Sequence, residues 1–113
     1  VDMLDKEAMQ EKIAESDVLM NNTGLGMINS PDETPISKEY FKEGQLVFDA
    51  TYNPAKTRFL AEAEEAGCKI MNGLGMSLHQ GAAQIKLWSG EEAPIDVMRD
   101  ELFAILEEKK KAQ

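Results

Sequence analysis

One cysteine, Cys68, and one histidine, His79, are all that this 113-residue chain offers of two residue types central to covalent and metal chemistry. A single cysteine excludes an intrachain disulfide and favours a reducing, cytoplasmic setting. No grouping of His, Cys, Asp and Glu has the spacing of a metal site. No signal peptide is legible, and no apolar run is long enough to span a bilayer, so no membrane partner is expected. Positive charge is scarce as well: 12 Lys and Arg stand against 21 Asp and Glu, a net charge of -9. That excludes the basic surface by which proteins hold nucleic acid or an anionic membrane. Internal repeats are absent, and the charged tail is the only segment of low complexity. An initiator methionine is lacking too. Val1-Asp2-Met3-Leu4 reads as the end of a strand, so the chain is expected to be a piece of a longer protein.

What is present suits a globular α/β chain, with 42% hydrophobic residues and enough length for one domain or part of one. Asp5 can cap a helix over 6–16 in which Met9 and Ile13 share a face. Asp17-Val18-Leu19-Met20-Asn21 reads as a buried strand, followed by a turn-rich loop. A short helix is expected over 35–42, ending near Gly44. The run 45–50 reads as a second buried strand. Asn53 and Pro54 then suit the cap and first position of a helix over 55–66, stopped at Gly67. The run 68–71 is a third strand, and helices follow over 77–88 and from Pro94. In the last of these, Ile95, Met98, Leu102 and Ile105 recur at helical spacing, and 109–111 suit its C-terminal dipole. Alternating strands and helices predict a parallel sheet with crossover helices, with two C-terminal helices beside it.

The segment Asn72-Gly73-Leu74-Gly75-Met76-Ser77-Leu78-His79-Gln80-Gly81-Ala82 carries the sharpest chemical signal. Glycine lets a backbone pass close to a flat ligand, and glutamine supplies both a donor and an acceptor to a polyhydroxylated one. It reads as a ligand-binding junction between strand and helix.

Further pieces give that junction a context. Ala14-Glu15-Ser16-Asp17-Val18-Leu19-Met20-Asn21-Asn22-Thr23 with Gly26-Met27, then Leu46 through Tyr52-Asn53-Pro54 with Thr57, then Gly67-Cys68, Gly73 to Met76, Gln80-Gly81-Ala82 and Trp88-Ser89-Gly90 follow one another. In that order and spacing they resemble the C-terminal half of the shikimate/quinate 5-dehydrogenase family. The resemblance implies a partial Rossmann-like parallel sheet of about three to four strands with crossover helices. Residues 1–75 would be the second half of a cofactor-binding domain, and 76–113 helices that pack toward a substrate domain outside this chain. It further implies an oxidoreductase that interconverts 3-dehydroshikimate and shikimate with NADP(H). Quinate and NAD(H) are the alternatives. The family's glycine-rich phosphate loop and its catalytic lysine and aspartate would lie in the remainder of the protein, so the chain alone is expected to be inactive.

By the same resemblance, the Tyr52 phenol would meet the substrate carboxylate and Gln80 the substrate hydroxyls. Gly73 and Ala50 would offer backbone groups to the nicotinamide, Met76 would rest against its ring, and Asn21 and Thr23 would line the cofactor path. Each has a plainer reading. Tyr52 can be packed at a strand end, Gln80 solvated on a helix, Gly73 and Ala50 mere turn and strand residues, and Met76 core. The family pattern has alanine where Asn22 stands, a bulkier polar group beside that path. His79 has no orienting carboxylate in the sequence and reads as a helix-surface or packing residue. Cys68 reads as a buried small hydrophobe. A non-catalytic acidic α/β module that binds another protein is the competing interpretation. A sheet edge left uncovered would favour self-association.

Overall fold

The apolar runs form a three-stranded parallel sheet with β1 (Val18–Asn21), β2 (Leu46–Asp49) and β3 (Lys69–Met71) in the order β1-β2-β3. The structure is a computed structural model that describes residues 2–112, apart from the side chains of Lys110 and Ala112. With the sheet go α1 (Lys6–Glu15), a 3-10 turn at Lys38–Tyr40 and α2 (Arg58–Glu65); later in the chain come α3 (Leu74–Ser89) and α4 (Ile95–Ala112). The chain divides after Gly73 into two compact units, the sheet unit and the unit of α3 and α4. The architecture agrees with the partial Rossmann-like α/β fold expected.

Register explains the core of the sheet unit. Leu19, Val47 and Ile70 are aligned across the three strands, as are Asn21 and Asp49, so they share one face. That face meets α2, where Phe59, Leu60 and Ala63 are buried beside Val47 and Cys68. The opposite face carries Val18 with Leu46, and Met20 with Phe48 and Met71. Here the expectation of a fully buried first strand fails: Val18 is 51% and Met20 59% exposed. β1 pairs only with β2 among the described residues, and α2 covers one face alone, so alternate side chains of β1 meet solvent.

Local chemistry sets the helix ends. Asp5 caps α1, its Oδ1 accepting from the Ala8 N–H at 3.1 Å. α2 ends in a Schellman turn: Gly67 takes φ 91, its N–H donates to Glu64, and the Cys68 N–H donates to Ala63. Cys68 then lies buried with its Sγ 3.2 Å from the Lys42 carbonyl, and burial pushes the thiol up from its ordinary range.

Three boundaries in the sheet unit depart from the sequence reading. Asp2 to Leu4 form a turn closed by Asp2 rather than a strand end, and Val1 lies outside the described residues. The helix expected over 35–42 shrinks to the single 3-10 turn. The Lys42 N–H is taken at 2.8 Å by the side chain of buried Gln45, whose amide also donates to Ile13 and Ser16. α2 starts at Arg58 instead of 55, because Thr57 caps it; Asn53–Pro54 is a cis peptide in the loop ahead. The C-terminal helix buries the face of Ile95, Met98, Leu102 and Leu106 more than Ile105, which is 45% exposed. Its Lys110 side chain lies outside the described residues.

Candidate functional site

The carboxyl ends of the strands are where open α/β sheets receive ligands. In this sheet those ends are organised by a residue the sequence reading did not single out. Asp49 closes β2 at 0% exposure, and a carboxylate taken out of water must be supplied with donors. Its Oδ2 accepts from Thr57 Oγ1 at 2.7 Å and from Asn21 Nδ2 at 3.2 Å, and its Oδ1 accepts from the Thr51 N–H at 3.0 Å. Thr57 Oγ1 in turn accepts from the Leu60 N–H at 3.3 Å, which caps α2. The signal is present in the strand itself. Asp49 lies two residues after Val47, in the inward phase, so a charge falls where only partners can hold it.

Asn21 and Thr23 belong to the same network. Asn21 is buried, and its amide also donates to the Leu25 carbonyl at 3.1 Å. Its Oδ1 accepts from the Thr23 N–H at 3.0 Å and from Thr23 Oγ1 at 2.6 Å, and Thr23 Oγ1 accepts from the Leu25 N–H at 3.2 Å. These side chains fold the loop after β1 upon itself, leaving exposed Asn22 and the outer side of Thr23 toward solvent.

Ala50 and Gly73 are brought together by close approach of two strand exits. A Cβ on Gly73 would lie 1.8 Å from the Ala50 carbonyl oxygen, and the Gly73 N–H donates to Thr51 at 3.1 Å. Glycine at 73 is therefore demanded by the neighbouring backbone, quite apart from any ligand. Gly75 differs: it sits in the first turn of α3, and a Cβ added there would meet nothing within 4 Å. Tyr52, half-buried on the loop after β2, makes no side-chain hydrogen bond among the described residues.

In the second unit, α3 begins at Leu74, so Gln80 lies in its second turn rather than its first. Met76 and Gln80 share one exposed face at i, i+4 spacing, opposite in phase to buried Leu78 and Ala82. Gln80 has no side-chain partner among the described residues. His79 is exposed and unpaired there too, with no carboxylate to orient it. No group of three or more His, Cys, Asp or Glu that could hold a metal occurs among the described residues. No described helix is long and apolar enough to cross a membrane.

Comparison with known proteins gives one coherent result. Residues 73–103 match the family described as the shikimate 5'-dehydrogenase C-terminal domain. The chain is 46% identical over 90 residues to the shikimate dehydrogenase (NADP(+)) of Moorella thermoacetica, covering 80% of this chain and 30% of that protein. Its fold is similar, with a TM-score of 0.82 and 41% identity, to the Listeria monocytogenes shikimate 5-dehydrogenase solved with shikimate and NAD, covering 90% of this chain and 36% of that one. A quinate dehydrogenase from Corynebacterium glutamicum, solved with NAD, is similar at 28% identity and a TM-score of 0.77, over 87% of this chain and 34% of that one. The chain thus spans about a third of the length of the relatives it matches (30% and 36% in the first two).

Proposed function

We propose, from a chain whose sequence and fold are those of the C-terminal part of the shikimate dehydrogenase family, that it forms one wall of the active site in an NADP-dependent enzyme interconverting 3-dehydroshikimate and shikimate. The reading rests above all on the 41% identity and TM-score of 0.82 to an enzyme holding shikimate and NAD. The residues present suit a nicotinamide cofactor. The strand ends are open α/β ligand positions, Gly75 leaves space free of neighbours, and Met76 is 48% exposed, as a thioether resting on a ring requires.

The cofactor, when bound, supplies or accepts the hydride. This chain's residues bind and orient. Tyr52 and Gln80, the two predicted substrate ligands, have polar groups without internal partners among the described residues. Tyr52 donates its phenol proton to the substrate carboxylate, and Gln80 pairs with ring hydroxyls. Gly73 and Ala50 present backbone groups to the nicotinamide carboxamide, and Thr23 borders the cofactor path. Asn21 contributes by shaping the loop on which Thr23 sits. His79 is exposed and has no orienting partner among the described residues, so it is not assigned the proton. On this reading proton transfer belongs to the rest of the enzyme, and this chain alone does not turn over.

Quinate with NAD is the second reading, favoured by the similarity to the Corynebacterium enzyme. Assaying the full-length protein with shikimate and quinate, each with NADP and NAD, decides between them. Activity on neither acid would leave a non-catalytic module, and turnover by this chain alone would overturn the division of labour. In the active enzyme, Tyr52→Phe and Gln80→Ala should each raise KM for the acid about ten- to a hundredfold, the range for hydrogen bonds to charged or desolvated groups. Unchanged KM values would remove both residues from the site. Self-association through the outer edge of β1 is a further proposal, tested by whether sedimentation of the chain depends on concentration.

A further inference from the structure

Asp49 does more than fill a polar gap in the core. It takes no part in any ion pair among the described residues, yet it is wholly buried and holds donors from three separate stretches of chain. Its two oxygens clamp both ends of one loop. Oδ1 holds the Thr51 N–H at the start, and Oδ2 holds Thr57 Oγ1 at the end. Tyr52 stands directly after the first of these anchors. Oδ2 also holds Asn21, whose amide fixes the other loop at the sheet's carboxyl edge through Leu25 and Thr23.

We propose that Asp49 is a positioning residue for substrate binding: its buried carboxylate pins the 51–57 loop at both ends and so sets where Tyr52 presents its phenol. The inference rests on the reading of Tyr52 as a substrate ligand. The geometry also specifies the cause. Three donors converge on one side chain, and only a carboxylate has acceptor capacity for all of them. An amide at this position offers a single oxygen, so at least one of Asn21 Nδ2 and the Thr51 N–H would face another donor. Thr57 can rotate its hydroxyl, but doing so surrenders its hold on the loop.

The test uses the full-length enzyme. Asp49→Asn and Thr57→Val should raise KM for the acid about ten- to a hundredfold, the range expected when hydrogen bonds to a charged group are lost. Their kcat should change much less, because the reacting atoms are untouched. Thr57→Ser, which keeps the hydroxyl, should restore most of the affinity. Val47→Ala serves as the control, since it loosens the same core without touching the clamp. If Val47→Ala raises KM as much at an equal loss of thermal stability, or if Asp49→Asn leaves KM unchanged, the proposal is overturned. Hydrogen exchange over residues 50–57 and 22–26 separates this inference from the functional one. Should the wild type prove inactive on both acids, faster exchange of these two loops in Asp49→Asn still supports the clamp. Unaltered exchange there refutes it whatever the substrate.

Discussion

The two units of this chain solve the problem of stability by opposite means. The sheet unit is over-determined. Its core around Val47, Phe59 and Leu60 is sealed, and buried polar groups at both ends of β2 tie loops to strands. Gln45 does so at the amino end and Asp49 at the carboxyl end. The unit of α3 and α4 has no such buried polar anchors among its described residues. Leu78 and Ala82 are its buried residues, while Leu87 is 82% and Trp88 81% exposed, along with Val97 and Phe103. Its ion pairs, Arg99 with Asp96 and Lys86 with Glu92, are exposed and contribute little. In the first unit, then, neighbours dictate the identity of Asn21, Asp49, Thr57 and Gly73 at the strand ends. In the second, the helical phase alone says which face a residue occupies.

The largest expected effect contrasts two glycines on either side of the boundary. Gly73→Ala places a methyl 1.8 Å from a backbone oxygen, and the sheet unit should lose its cooperative unfolding transition altogether. Gly75→Ala meets nothing within 4 Å and should be neutral or stabilise by up to about 1 kcal/mol, the helical preference for alanine over glycine. Chemical denaturation followed by circular dichroism reads both, and similar behaviour of the two variants would erase the distinction between the units.

Next comes truncation of leucine. Leu60→Ala, in the sealed core, should cost about 3–4 kcal/mol, within the range for buried leucines. Leu102→Ala, half-buried on α4, should cost about half of that. Equal costs in urea titrations would mean that the second unit is packed as tightly as the first.

The smallest effect probes how closed the sheet unit is. Burial raises the Cys68 thiol in the folded chain, so the unfolded chain loses this proton first as pH rises. Stability from this source is intact below the ordinary thiol range and falls as pH climbs through it. Urea midpoints measured at neutral and alkaline pH should therefore fall slightly more for the wild type than for Cys68→Ala. An identical fall in both would show that the thiol is not held out of water.

Much of this is legible in the residues. The apolar runs ending at Asn21, Asp49 and Met71, separated by helix-length segments, leave little choice but a parallel sheet, because parallel neighbours require long crossovers. The start of α2 is not legible, since Asn53 and Pro54 carry the local signature of a cap. Thr57 wins because its hydroxyl is shared between the Leu60 N–H and the Asp49 carboxylate, eight residues back and on another element. The start of α3 falls earlier than expected because Gly73 and Gly75 read as loop. A glycine in the first turn is tolerated, however, where backbone N–H groups are unpaired in any case.

What the order of residues determined by itself was periodicity and connectivity: the three strands of the sheet, the four longer helices, that the strands run parallel, and which motifs stand at their ends. These follow from local spacing and chain length. Only the tertiary structure decided which face of β1 is wet, that Gly73 answers to Ala50, and that Asp49 gathers Asn21, Thr51 and Thr57. Those facts depend on atoms distant in sequence meeting within hydrogen-bond or van der Waals range, and no spacing along one dimension encodes such a distance.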